Sequence, residues 1–207
     1  MGVFVKICGC ASVDDAHAIA ELRPDAVGFI LWPGSKRYVK PNAIAEWTRD
    51  WPDDLLKVGV FVDEPVERVQ AVAETAGLDV VQLHGRESAE DLAALAPRLV
   101  WKAVHLNRPL PPDLEKYPAD AFLLDYHGDR MLGGTGQQVD WDAARRFVEG
   151  TTRKVLLAGG LNRDNVVAAI QAVHPWGVDV SSGVEQAPGQ KDLAAVKDFI
   201  EQCRSND

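Results

Sequence analysis

The chain has 207 residues, enough for one domain, residues 1–207, that buries about 70% of the surface its unfolded form exposes. Its 22 Lys and Arg against 31 Asp and Glu leave a net charge of −9, which disfavours nucleic acid and anionic membrane as partners and means that an anionic substrate must be captured by local donors. No run is apolar enough to cross a bilayer and the N-terminus carries no export pattern, so a cytoplasmic location is expected.

Short β-branched runs alternate with amphipathic stretches along the whole chain. Residues 4–8 read as a strand and 13–23 as a helix with Ser12 as N-cap. A strand at 26–31 leads to a helix at 42–50 behind Pro41, and a strand at 56–62 to a helix at 65–76 with proline in its first turn. Strands follow at 80–83, 99–104 and 121–125, with helices at 88–95, near 113–117 and at 141–149. The last sixty residues hold two further units: a strand at 154–158 ending in Gly159-Gly160 with a helix at 162–173, and a strand at 177–180 ending in Ser181-Ser182-Gly183 with a helix at 191–203. Eight near-continuous apolar strands with intervening helices predict a single α/β (βα)8 barrel, a TIM barrel. At roughly 26 residues per unit, against about 250 residues for a usual barrel, its loops must be short.

In such barrels the chemistry lies at the C-terminal ends of the strands, and the loops after strands seven and eight commonly take a phosphate. Gly159, Gly160, Ser181, Ser182 and Gly183 therefore form a candidate cradle for a small phosphorylated substrate. Cys8, followed by Gly9, is a candidate base or nucleophile or else a buried core thiol. Cys10 and Cys203 read as structural, and three cysteines with two of them two apart make no disulfide framework. Asp125 ends an apolar strand, where a carboxylate must be paired; it is a general acid or base, or a cap on backbone N–H groups. Arg37, in a loop with Pro33 and Gly34, offers a fork for a carboxylate or phosphate, or is a solvated loop residue. His84 sits in a strand-end turn, while His17, His105, His127 and His174 read as incidental. No metal-ligand spacing and no G-x-G-x-x-G after a strand is present, so neither metal nor dinucleotide is expected. Gly133-Gly134-Thr135-Gly136 follows the polar loop 126–131, which reads as a mobile lid or substrate loop.

These motifs in this order resemble the phosphoribosylanthranilate isomerases of tryptophan biosynthesis: KICG at 6–9, GFIL and GSKRYV within 28–39, VGVFVDE at 58–64, VQLHG at 81–85, LLD at 123–125, GGTG and VDW within 133–141, LAGGLN at 157–162 and GVDVSSGVE at 177–185. Two positions depart from the family pattern: Lys36 stands where a proline usually precedes the arginine, and Gln137-Gln138 where a lysine often follows GGTG. The resemblance implies an Amadori rearrangement by acid–base catalysis without cofactor. It makes Cys8 the general base and Asp125 the general acid, puts Arg37 on the anthranilate carboxylate, and places the phosphate on the two turns. For those roles the Asp125 carboxyl must titrate high, through desolvation, and the Cys8 thiol low, with Lys6 or the substrate iminium helping.

Two other readings stand beside it. One is another phosphosugar isomerase or epimerase on the same barrel; a metal-dependent epimerase needs converging His and Asp ligands, and a histidine-pathway enzyme of this type an aspartate where Cys8 stands. The other is a non-catalytic phosphate-binding barrel, which needs neither Cys8 nor Asp125. Monomer and homodimer are both open.

Overall fold

A computed structural model describes residues 2–111, 113–126 and 139–205. The elements run β1 (Phe4–Cys8), α1 (Val13–Glu21), β2 (Ala26–Ile30), α2 (Pro41–Trp47), β3 (Leu56–Phe61), α3 (Val66–Thr75), β4 (Val80–Leu83), α4 (Ala89–Ala94) and β5 (Leu99–His105). A 3-10 turn at Leu114–Lys116 precedes β6 (Ala121–Asp125), α5 (Trp141–Gly150), β7 (Lys154–Leu157), α6 (Val166–Val173) and β8 (Gly177–Val180). A second 3-10 turn, Ser182–Val184, then leads to β9 (Glu185–Ala187), β10 (Gln190–Lys191) and α7 (Leu193–Arg204). Strands β1 to β8 pair in sequence order, all parallel, and β8 closes on β1 with Lys6 opposite Asp179, so the sheet is the expected closed barrel. Among the described residues no helix is long and apolar enough to cross a membrane.

The period-2 alternation of each strand divides the core in two. Val5, Ile7, Val27, Phe29, Val81, Leu83, Phe122, Leu124, Val155, Leu157, Val178 and Val180 belong to the layer shared with the helices. Val58, Val80, Trp101, Ala103, Ala121, Leu123, Leu156 and Ala158 fill the barrel interior. On the same parity as this inner set come Lys6 and Cys8 of β1, Gln82 of β4, and Asp125 at the end of β6, so the polar inward positions gather toward the C-terminal rim. At the opposite end Phe4 stacks on Trp176 with centroids 4.3 Å apart, Trp101 meets Phe4 edge-on at 5.9 Å, and Lys154 Nζ lies 4.6 Å from the Trp176 ring. These rings fill the base of a barrel whose inner positions are otherwise rich in alanine.

The N-terminal edge carries a repeated device. Asp25, Asp79 and Asp120 each stand just before an even-numbered strand. Each carboxylate accepts the first or second backbone N–H of the preceding strand, from Val5 at 2.7 Å, Lys57 at 2.8 Å and Val100 at 2.8 Å. Strand ends that would leave N–H groups unpaired are thereby satisfied.

Three helices differ from the sequence reading. α6 starts at Val166 instead of 162, because Asn162 Oδ1 takes the Asp164 N–H and Asn165 Oδ1 the Asn162 N–H, side-chain bonds that compete with a first helical turn. The last helix begins at Leu193, not 191, with Asp192 as N-cap accepting from Ala194 and Ala195. Before it, Pro188 and Gly189 (φ +83°) turn the chain back, so residues 185–191 form a hairpin where a direct turn-to-helix passage was expected. α2 also ends early, at Trp47; Thr48 caps it and its Oγ1 donates to the Ile44 carbonyl.

Candidate active site

Cys8 and Asp125 are the last residues of β1 and β6, and the barrel holds both on its inward parity at the same rim. Both are buried. Asp125 Oδ1 accepts the Tyr126 N–H at 2.8 Å, and Oδ2 lies 3.2 Å from His84 Nε2. Gln82 Nε2 stands 3.1 Å from His84 Nδ1, and donation from that amide leaves the ring proton on Nε2, facing the carboxylate. His105 is the cross-strand neighbour of Asp125, with its ring 5.4 Å from that of His84. In the sequence His105 reads as incidental; its inward parity, two residues beyond Ala103, is the signal that places it here.

Burial alone would push the Asp125 carboxyl up. The contact with His84, the His84 charge, the Tyr126 N–H and His105 outweigh it and hold the group below its ordinary range. This reverses the expectation of a raised carboxyl. Cys8 is reversed too: burial pushes its thiol up despite the opposing field of Lys6. The protein at rest therefore carries a thiol and a carboxylate, with the proton on the sulfur side.

Arg37 is not a solvated loop residue. It is buried, and its fork grips Glu185, with Nε at 2.8 Å from Oε1 and Nη2 at 2.7 Å from Oε2. The hydrogen bonds to Glu185 raise the guanidinium further. Burial would raise the Glu185 carboxyl, but Arg37 and Lys191 together hold it low. Lys191 is the hub: its buried Nζ donates to the Cys8 carbonyl at 2.5 Å, the Ser181 carbonyl at 3.1 Å and Glu185 Oε1 at 2.9 Å. Three ammonium protons thus meet three acceptors, tying the end of β1, the turn after β8 and the arginine together. A helix read from residue 191 leaves out the hairpin that gives Glu185 and Lys191 their partners; the Pro188-Gly189 pair is its sign in the sequence.

The two Gly/Ser turns lie back to back. Gly159 and Gly160 are left-handed (φ +75° and +71°), and a Cβ on Gly183 would stand 1.9 Å from the Leu161 carbonyl oxygen. Only glycine lets the turns approach so closely. Among the described residues the backbone N–H groups of Gly160, Ser182 and Gly183 have no acceptor. The loop 126–131 beyond Tyr126, the stretch Gly133–Gly136, and Gln137-Gln138 lie outside the described residues; Lys36 is exposed beside Arg37. No described group of His, Cys, Asp and Glu is arranged to hold a metal ion.

The chain matches the family described as N-(5'-phosphoribosyl)anthranilate (PRA) isomerase over residues 5–202. The chain belongs to this family. It is 41% identical over 198 residues to the N-(5'-phosphoribosyl)anthranilate isomerase of Pelobacter propionicus, covering 95% of this chain and 93% of that one. The crystal structure of the phosphoribosyl anthranilate isomerase from Thermus thermophilus superposes with a TM-score of 0.88 at 36% identity, over 97% of this chain and 98% of that one. A phosphoribosyl anthranilate isomerase in complex with reduced 1-(O-carboxyphenylamino)-1-deoxyribulose 5-phosphate does so with 0.84 at 38% identity, over 98% and 99%. The activity is that of the phosphoribosylanthranilate isomerases: the Amadori rearrangement of N-(5'-phosphoribosyl)anthranilate to 1-(2-carboxyphenylamino)-1-deoxyribulose 5-phosphate in tryptophan biosynthesis.

Proposed function

We propose that Cys8 is the general base and Asp125 the general acid of this isomerisation. The supporting observation is that both end inward-facing strands at one rim, each beside a group able to manage its proton. Asp125 gives a proton to the furanose oxygen as the C1′–O bond breaks, leaving a protonated Schiff base. The Cys8 thiolate then removes the C2′ proton. The C–H pair becomes the C1′–C2′ double bond, and the imine pair moves to nitrogen. The enolamine tautomerises to the ketone, so no step calls on a cofactor. Each transfer contributes about 10²–10⁴-fold.

The resting protonation is the reverse of what these steps need; Asp125 takes a proton from solvent as the substrate binds, because excluding water favours the neutral carboxyl. His84, its Nε2–H facing Oδ2, orients that carboxyl toward the furanose oxygen. On the base side the iminium draws electrons from C2′ and favours the thiolate. Arg37, set by Glu185, offers its remaining N–H groups to the anthranilate carboxylate. The phosphate rests on Gly159, Gly160, Ser181, Ser182 and Gly183, and His84 also borders the sugar. All proposed site residues come from one chain, so a single copy suffices, whether monomer or homodimer. We place this barrel, residues 1–207 as one domain, in the cytoplasm, with no nucleic-acid partner.

The test follows the loss of phosphoribosylanthranilate fluorescence. Cys8→Ser and Asp125→Asn should each lose at least about a hundredfold in kcat with the fold intact; near-normal turnover in either removes that residue from its role. Arg37→Ala should chiefly raise KM, and a kcat loss at constant KM would contradict a binding role.

A further inference from the structure

One pair of opposite charges lies among the inward strand positions of the barrel, below Cys8. Lys6 and Asp179, cross-strand partners on β1 and β8, are buried there with Nζ 2.6 Å from Oδ1. Taking this pair out of water is expensive, and apolar residues of similar volume generally serve stability as well or better. Stability alone therefore does not account for a charged pair in this layer. Its position does suggest a use. Lys6 precedes Cys8 by two residues, so the two side chains share the inward face of β1. Gly28, opposite Cys8 on β2, has no side chain, and both partners crowd the space this leaves. A Cβ there would stand 2.7 Å from Cys8 Sγ and 3.0 Å from Lys6 Nζ.

We propose that Lys6 and Asp179 are positioning residues for the base: the buried Lys6 ammonium stabilises the Cys8 thiolate, and Asp179 holds that ammonium beneath the sulfur. The inference rests on the assignment of Cys8 as base. When the thiolate takes the C2′ proton it becomes a neutral thiol, and Lys6 keeps its own protons throughout. Asp179 both anchors Lys6 and tempers it, because its negative charge opposes a second anion nearby.

The other charges around Cys8 are accounted for. Lys191 of β10 bonds the Cys8 carbonyl and is paired with Glu185, and Arg37 beyond β2 is paired with the same carboxylate. Gly28 of β2 brings no charge. The field at the sulfur is thus set chiefly by the β1–β8 pair: after burial, Lys6 lowers and Asp179 raises the Cys8 thiol more than any other group.

The experiment measures the pH midpoint of Cys8 alkylation by iodoacetamide in a Cys10→Ala/Cys203→Ala background, with kcat read alongside. Lys6→Met should raise the midpoint by about 1–3 units, the scale of one nearby opposite charge. Asp179→Asn should lower it, because an unpaired buried ammonium takes the thiolate as counter-ion. The double variant, Lys6→Met with Asp179→Asn, keeps no buried charge and should titrate above the unmodified protein and below Lys6→Met. At neutral pH kcat should fall about tenfold for each unit of rise, with KM little changed. Should Lys6→Met fail to fold, the ordering of Asp179→Asn below and the double variant above the parent carries the test. Equal midpoints, or shifts of the two single variants in the same direction, overturn the proposal. Full turnover in Cys8→Ser with the shifts intact would instead overturn the base assignment and leave the electrostatic pair standing.

Discussion

At the scale of single residues, the groups around the mouth are held in charge states that make stability depend on pH. Asp125 has its folded carboxyl depressed, so it contributes stability that is complete above its unfolded value and lost as pH falls through the folded one. Asp125→Asn should therefore flatten the acid limb of a stability–pH curve below about pH 4, the unfolded carboxylate value. An unchanged acid limb in urea unfolding would show that His84 does not hold the carboxylate. Lys6 works at the other end. Burial lowers its ammonium, but Asp179 and Cys8 raise it to about 12, so its contribution is complete below the unfolded value of 10.5 and lost as pH rises toward 12. His84→Gln asks a different question, because glutamine carries no imidazole to face Oδ2. If His84 orients the Asp125 carboxyl for proton transfer, kcat should fall by about 10²-fold. If His84 only depresses the carboxyl, the same variant should raise kcat at neutral pH by leaving more Asp125 protonated.

At the scale of elements, the strands were legible and the connections less so. Runs such as FVKIC, AVGFI and AFLLD declare themselves by burial on both faces, and each occurs as a strand within a residue of its expected bounds. Cys8, Asp125 and the glycine turns were legible for the same reason: a strand-end position is fixed by the strand. Glu185 and Lys191 were not, since their meaning lies in a hairpin that brings residue 185 to residue 37 and residue 191 to residue 8, across 148 and 183 positions. No local periodicity encodes such a contact. The carboxylates of Asp25, Asp79 and Asp120 escaped notice likewise, because each caps a strand about 20 residues earlier. Asp25→Ala should cost about 1–3 kcal/mol, the cost of leaving a strand N–H unsatisfied, measured by urea unfolding with activity retained. Gly183→Ala tests the joint between the two turns. Its Cβ meets backbone, not a movable side chain, so the turns must part and the N–H groups of Ser182 and Gly183 lose their common aim. The loss of one charged hydrogen bond, about 1.5–3 kcal/mol, predicts a KM at least tenfold higher. A normal KM would place the phosphate elsewhere.

At the scale of the molecule, the barrel divides its labour between its two ends. The C-terminal half spends interior volume on Lys6, Gln82, His84, Asp125 and Asp179, charged or polar groups where apolar residues of similar volume would generally serve stability as well. The opposite end compensates with large rings, Phe4, Trp101 and Trp176, that close the base over inner positions otherwise rich in alanine. The layer between them is Val58, Val80, Leu123 and Leu156, close aliphatic packing that separates the two ends. Stability and activity should then separate under mutation. Trp176→Ala removes the stacked contact with Phe4 and the site of Lys154. Because Trp176 is half-buried, its cost should be about 2–4 kcal/mol, below the full range for a buried tryptophan, or a fall in Tm on the order of 10 °C. Well below that Tm, kcat should stay within about twofold, since no group at the rim touches this ring and acid–base geometry is set by the strand ends. Asp125→Asn should show the converse, turnover reduced about a hundredfold or more for a fall in Tm at neutral pH smaller than that of Trp176→Ala. Calorimetry and steady-state turnover on the two variants decide it. A Trp176→Ala protein that is folded yet loses kcat in step with its Tm would mean that the base of the barrel tunes the mouth, and the division between the two ends would not hold.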